Sequence, residues 1–249
     1  MASNPPGKCC AVGVKHDGSP SGEDIKIADG TIAAYVAEAS AENAHAGTAI
    51  LFIPDIWGIW QNSQLVADQL AANGYTTLIP DIFSGDSFAR GLDVLQWIQG
   101  GTDGKTPHTV EAVDPIILAG IRALKETYGA SKIGAVGYCF GAKYVIRHFH
   151  NGIDVGYVAH PSFVERDELA AITGPLSIAA AETDSIFPTE KRHESEAILK
   201  DTKQPYQINL YSGVEHGFAI RGDVSIKVQR FAKEAAFLQA VTWFDNWLV

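Results

Sequence analysis

Lys132-Ile-Gly-Ala-Val-Gly137-Tyr138-Cys139-Phe140-Gly141-Ala142 is the stretch on which the reading of this chain turns. An apolar β run from Lys132 to Gly137 gives way abruptly to a helical pattern from Ala142, and a cysteine stands between them with a glycine two residues before and two after it. The spacing is that of GxSxG, a sharp strand-to-helix turn that exposes a nucleophile, with Cys in place of Ser. Such a turn holds its central residue in strained backbone angles, and side chains at the flanking positions collide with strand and helix, so glycine is required there. A thiol so placed sits at a helix N-terminus, where free N–H groups and the macrodipole favour a thiolate and a developing oxyanion. Taken alone, the pattern also fits a buried structural cysteine.

Working outward, strands alternate with helices. Upstream come the buried-strand run Ala49-Ile-Leu-Phe-Ile-Pro54, helical spacing from Ser63 to Ala72, and the short run Thr76-Thr-Leu-Ile-Pro80. A helix is predicted over 113–128, just before the quoted stretch. Downstream lie a strand at Val155-Gly-Tyr-Val-Ala159, a strand at Leu176-Ser-Ile-Ala-Ala-Ala181, a polar helix around 189–200, a strand at Tyr206-Gln-Ile-Asn-Leu-Tyr211 and a closing helix at about 226–248. The alternation predicts an α/β fold, a mostly parallel central sheet with helices on both faces. Residues 1–45 are rich in Gly, Pro and Ser, and their segments Asp24–Ile27 and Thr31–Ala37 read as antiparallel strands at one sheet edge. The stretch 85–109 reads as a loop flanking a short helix. No repeat or linker interrupts the chain, so a single domain over 1–249 is expected.

A cysteine elbow in an α/β-hydrolase fold makes a demand on the rest of the chain: an acid after a later strand, then a histidine after that. Glu182-Thr183-Asp184 follows the strand at 176–181, and His216-Gly217-Phe218 follows the strand at 206–211. His216 is positioned to take the proton from Cys139 and return it to a leaving group, with Asp184 orienting the imidazole and stabilising its cation. Glu182 is the competing acid. A lone Asp after a strand is ordinarily a turn residue and a lone His ordinarily a loop residue; it is the order and context of all three that argue for catalysis. Of the other histidines, His160 ends a strand on the same side, where lining a pocket and a structural role are both open. His16, His45, His108, His148, His150 and His193 read as surface or structural.

Composition narrows the partners. The chain has 249 residues and a formal net charge of −10, and its Lys and Arg are scattered, which leaves no electrostatic footprint for nucleic acid or an anionic membrane. No apolar run has the length of a signal peptide or membrane span, so a cytoplasmic protein acting on a small molecule, as monomer or homodimer, is expected. The cysteines are Cys9, Cys10 and Cys139, an odd set that favours free thiols in a reducing compartment. Zinc at Cys9-Cys10 requires CxxC-type spacing or a nearby ligand pair; only His16 lies close, so a plain structural role is expected, with no metal and no cofactor.

Several motifs together resemble the dienelactone hydrolase family: Phe52-Ile-Pro-Asp55-Ile56-Trp57-Gly58, Pro80-Asp81-Ile-Phe, Gly137-Tyr-Cys139-Phe-Gly141, Ala159-His160-Pro161-Ser162, Glu182-Thr-Asp184 and His216-Gly-Phe218-Ala. The opening from Cys9-Cys10 to the Tyr35-Val-Ala strand looks like the fungal branch. The resemblance implies hydrolysis of an enol-lactone or related ester through a thioester at Cys139, with the N–H groups of Phe140 and Ile56 as the oxyanion hole. The family usually carries Glu at Asp55 and uses it to generate the thiolate when substrate binds; Asp is one methylene shorter. Family members acting on dienelactone hold its carboxylate with arginines, for which Arg221 and Arg90 are the candidates. Trp57, Trp60, Phe83, Tyr138 and Phe218 are candidates for an aromatic pocket wall, with core packing as their plain alternative. Two rival readings use the same residues: an inactive scaffold that binds a small hydrophobic acid, and a thioesterase.

Overall fold

The computed structural model describes residues 2–89 and 91–249, so Arg90 lies outside the described residues. Eight strands form one sheet: β1 (Glu23–Ile27), β2 (Ile32–Ala37), β3 (Thr48–Ile53), β4 (Thr76–Pro80), β5 (Lys132–Tyr138), β6 (Val155–Ala159), β7 (Leu176–Thr183) and β8 (Tyr206–Glu215). Their order is β1-β2-β4-β3-β5-β6-β7-β8. β1 and β2 pair antiparallel, β2 pairs antiparallel with β4, and every pairing from β4 to β8 is parallel. This is the expected sheet, with the expected antiparallel edge. The helices are α1 (Gln61–Ala72), α2 (Val94–Gly100), α3 (Val110–Glu126), α4 (Phe140–Arg147), α5 (Arg166–Ala170), α6 (Thr189–Thr202), α7 (Phe218–Arg221) and α8 (Lys227–Trp247). The short helices α5 and α7 escape the sequence reading because four or five residues carry too little periodicity to register.

The alternation of side chains along buried strands gives the sheet two apolar faces. Leu51, Ile53, Ile133, Ala135, Val158 and Ile178 pack with Val113 and Ile117 of α3, Val145 of α4 and Leu199 of α6. Ile50, Phe52, Val136, Tyr138 and Tyr157 pack with Val66 and Leu70 of α1 and Ala236 and Phe244 of α8. The chain runs from β3 out to β4 and then crosses to β5 on the other side of β3. β3 and β5 therefore flank a topological switch point, and the crevice beyond their carboxyl ends is where open α/β sheets bind ligands. No helix among the described residues is long and apolar enough to cross a membrane.

Candidate active site

Cys139 occupies the turn from β5 into α4 with φ 52° and ψ −111°. Such a conformation costs about 1–3 kcal/mol and persists only where the surroundings over-determine it. Here the end of β6 grips the turn: Cys139 N–H donates to Ala159 O (3.1 Å), and Ser162 N–H donates to Cys139 O (3.1 Å). Both glycines are sterically required. A Cβ on Gly137 would lie 2.8 Å from Ala142 Cα, and one on Gly141 only 2.1 Å from Ile53 O and 2.7 Å from Pro54 O. Gly141 thereby lets the start of α4 close against the segment that leaves β3, which carries Asp55 and Ile56.

The ends of β7 and β8 deliver the other two groups. Asp184 Oδ1 accepts the N–H groups of Ile186 (2.8 Å) and Phe187 (3.1 Å), which fixes the carboxylate and leaves Oδ2 for His216 Nδ1 at 2.9 Å. Glu182, the competing acid, is exposed and instead accepts the Gly213 N–H at 2.8 Å. With Nδ1 committed to Asp184, His216 turns Nε2 toward sulfur, and a ring nitrogen of His216 and the sulfurs of Cys139 and Cys10 all lie within 4.8 Å of one another. Burial by itself would lower the pKa of His216, but the Cys139 thiolate and Asp184 outweigh it and raise it to about 10. Burial would likewise raise the Cys139 thiol, yet Cys10 and His216 pull it well below the ordinary thiol range. Both shifts favour the thiolate–imidazolium form of the pair over thiol and neutral imidazole.

Beside it lies a second buried pair. Arg221 Nη1 donates to Asp55 Oδ2 and Arg221 Nε donates to Val12 O at 2.9 Å, while Nη2 has no hydrogen-bond partner among the described residues. Asp55 Oδ1 accepts the Trp57 N–H at 3.0 Å. Full burial pushes the Asp55 carboxyl up to about 6 against the pull of Arg221. The N–H groups of Phe140, the first residue of α4, and of Ile56 donate to no backbone or side-chain acceptor among the described residues.

The N-terminal segment forms a strap over these groups, which no strand or helix pattern in residues 1–22 revealed. Ala2 and Asn4 are tied to Val164 and Ile186 (Ala2 N–H to Val164 O, 2.7 Å; Asn4 N–H to Ile186 O, 2.8 Å). A 3-10 turn at Lys8–Ala11 then buries Cys10. Its sulfur lies 3.3 Å from Cys139 Sγ and 3.5 Å from His216 Nε2, and its carbonyl accepts the Trp57 Nε1–H at 3.2 Å. Val14 N–H closes on Arg221 O at 3.0 Å. A cleft of about 160 Å³, walled by Val12, Gly13, His216, Phe218 and Arg221, leads to the imidazole. Larger hollows, of about 700 Å³ beside the β1–β2 turn and about 670 Å³ between α1 and α8, hold none of these groups.

The structure brings together Cys139, His216, Asp184, Asp55, Arg221, Ile56 and Phe140. It corrects part of the aromatic wall. Tyr138 alternates onto the opposite face of the sheet, stacked on Phe52 at 5.1 Å and buried, and Phe83 is core beside Phe140 at 5.4 Å. Neither lines the cleft; Phe218 does, and Trp57, half-buried, packs at a tilt against Trp60 at 5.2 Å. His160 is fully buried with its ring edge against His216 at 4.9 Å, and burial, His216 and Arg221 hold it neutral. It backs the imidazole instead of facing the cleft. His16, His108 and His148 are buried structural groups bonded to Gly222 O (2.7 Å), Asp86 (3.0 Å) and Asp114 (2.9 Å). Cys10 is the residue that sequence reasoning missed: its neighbours stand 129 and 206 positions away, and spacing rules see only local ligand sets.

The chain is similar to a protein of Aspergillus violaceofuscus named Hydrolase pyvD, 48% identical over 100% of this chain and 99% of that one. It is also similar to Dienlactone hydrolase 1 of Gibberella moniliformis, 30% identical over 100% and 96%. The fold matches the crystal structure of dienelactone hydrolase from Anabaena variabilis with a TM-score of 0.65 at 11% identity, covering 92% of this chain and 98% of that one. Residues 32–248, nearly the whole sheet and every helix, match the dienelactone hydrolase family itself, and the chain belongs to that family of ester and lactone hydrolases.

Proposed function

We propose that the protein cleaves a small lactone or ester through a thioester on Cys139, with His216 as proton carrier and Asp184 as its orienter. The observation that carries this reading is the 2.9 Å Asp184–His216 bond, which holds the imidazole with a ring nitrogen within 4.8 Å of the sulfur of a strained strand-to-helix turn. The Cys139 thiolate adds to the acyl carbon, the carbonyl oxygen gains negative charge, and the N–H groups of Phe140 and Ile56 receive it. His216 gives its Nε2 proton to the leaving oxygen as the acyl–oxygen bond breaks; in a lactone that oxygen stays on the same molecule. Water then attacks the thioester, passing a proton to His216, and the thiolate is released.

The buried Arg221–Asp55 pair supports an anionic substrate. A substrate carboxylate entering beside Arg221 competes with Asp55 for the guanidinium, whose Nη2 is already unpartnered, and the planar fork suits a carboxylate. Asp55, one methylene shorter than the family's usual Glu, is the acid that such an exchange frees to act near Cys139. Three free thiols fit a reducing compartment such as the cytoplasm.

The test is a stopped-flow burst assay with an activated aryl ester on wild type and Cys139→Ala, with intact-mass detection of the acyl adduct. A burst and an adduct at Cys139, both absent from the variant, are the expected result. Equal rates and no adduct in either protein would overturn the thioester mechanism in favour of a ligand-binding scaffold. A panel of lactones, oxygen esters and thioesters, with and without a carboxylate, ranks the substrate classes.

A further inference from the structure

Ester cleavage by Cys139 makes no use of the second thiol at its side. We propose that Cys10, Cys139 and His216 form a binding site for a soft divalent cation of the zinc type, held by two thiolates and one imidazole, and that filling it switches the hydrolase off. The metal site itself is independent of the hydrolytic reading, on which only the switching-off rests.

Zinc–sulfur and zinc–nitrogen bonds of about 2.3 and 2.0–2.1 Å place the ligand atoms of a tetrahedral site about 3.5–3.8 Å apart. The Cys10 sulfur is 3.5 Å from His216 Nε2 and 3.3 Å from Cys139 Sγ, and all three ligand atoms lie within 4.8 Å of one another, so small rotations of side chains already in place complete the set. The histidine is prepared as a ligand. Asp184 accepts from Nδ1 at 2.9 Å, which fixes the tautomer that presents the Nε2 lone pair and supplies the carboxylate–histidine–metal arrangement typical of tight sites. Cys10 is prepared as well, because the strap pins its backbone through Cys10 N–H to Gly7 O (2.9 Å) and Trp57 Nε1–H to Cys10 O (3.2 Å).

Charge and softness point the same way. Two thiolates neutralise a dication, Asp55 already neutralises Arg221, and thiolate with imidazole selects zinc-like ions over magnesium or calcium. Two Cys and one His leave the fourth position to a water or to Ser162, whose Oγ lies 3.7 Å from Cys139 Sγ. Cys9 is not among the ligand atoms that lie within 4.8 Å of one another, and its sulfur contacts Ser185 Oγ at 3.7 Å. Binding replaces two protons, one on Cys10 Sγ and one on His216 Nε2, and no redox change occurs. With the lone pairs of Cys139 and His216 committed to metal, neither nucleophile nor proton carrier remains, so inhibition is complete and reversible by a chelator.

The test uses the full-length protein, stripped of metal and reduced, titrated with cobalt(II) as a spectroscopic stand-in and then with zinc. The expected result is one equivalent of cobalt with the intense visible bands of tetrahedral thiolate ligation, displaced by one equivalent of zinc. Cys10→Ser and, independently, Cys139→Ser weaken binding at least a hundredfold, while loss of the outer carboxylate in Asp184→Asn weakens it about 10- to 100-fold. Cys9→Ser keeps the wild-type spectrum and affinity. A wild-type protein without a one-to-one cobalt spectrum overturns the proposal, as does a Cys10→Ser protein that binds like wild type or a Cys9→Ser protein that loses the metal. The spectrum needs no turnover, so failure here is distinct from failure of the hydrolase reading.

Discussion

Asp55 and Arg221 are 1% and 2% exposed and bonded directly to each other, so removing either leaves the other as an unpaired charge in the core. Replacing Asp55 with Leu, a side chain of similar length, strands a guanidinium that already has one unpartnered nitrogen. Breaking a buried pair in this way costs about 3–5 kcal/mol. At this chain length each kcal/mol moves the melting temperature by about 2–4 °C, so Asp55→Leu melts about 6–20 °C below wild type. Arg221→Met loses the same pair and also the bond from Nε to Val12 O, which adds about 1 kcal/mol. The double variant removes both charges together, and its loss is no greater than that of either single variant, a coupling of about 3 kcal/mol or more. Urea unfolding followed by tryptophan fluorescence measures all four proteins. If the single losses simply add in the double variant, or if Asp55→Leu lies within about 1 kcal/mol of wild type, the pair does not hold this site together in the way argued.

Three further outcomes follow from the geometry. Asp184→Asn removes the acceptor that fixes the His216 tautomer and lowers kcat of ester hydrolysis by about 10⁴-fold, while secondary structure measured by circular dichroism is retained. Gly141→Ala drives a Cβ to 2.1 Å from Ile53 O and so pushes Ile56 off the start of α4; a stability loss of about 1–3 kcal/mol with a fall in kcat is expected, and a fully active variant of wild-type stability would contradict the elbow packing. The thiolate–imidazolium pair shapes stability with pH. His216 is raised from 6.5 to about 10, so its stabilisation is full below 6.5 and lost as pH rises through about 10. Cys139 is depressed below 9.0, so its stabilisation is present above 9.0 and lost as pH falls through its folded pKa. Between about 6.5 and 9 folding only moves a proton from sulfur to imidazole, and the pair contributes no slope there. Denaturation at a series of pH values for wild type and Cys139→Ala should differ by a plateau over that window that falls away on both sides, and the thiolate ultraviolet absorbance of wild type should persist well below pH 9.

The elements that position the site were legible because each rests on a local signal. β3, β5 and β7 are continuous apolar runs that only a doubly covered sheet accommodates, and Gly137 and Gly141 flank a residue that no regular element can hold. Asp184 and His216 were found because the elbow demands them in order. Distance in the chain hid the rest. Whether Tyr138 faces the cleft or the core depends on which sheet face the last residue of β5 presents, and the turn at Cys139 breaks the alternation that would have told. The Arg221–Asp55 bond joins residues 166 positions apart, and sequence alone offered Arg221 as a free clamp. The strap has no periodicity at all; its place is fixed by scattered bonds to Val164, Ile186, Trp57 and Arg221.

The strap also sets a timetable for the growing chain. Cys10 leaves the ribosome 206 residues ahead of its partner His216, and Val12 leaves it 209 residues ahead of Arg221. At about 5–20 residues per second that interval is on the order of ten to forty seconds, during which the segment has nothing to dock against. The strap docks onto groups at the ends of β5, β6, β7 and β8, so it is expected to seat after the sheet that presents them has formed. In refolding, tryptophan fluorescence therefore recovers ahead of esterase activity, and the lag between the two records the moment when the strap reaches Cys139 and His216.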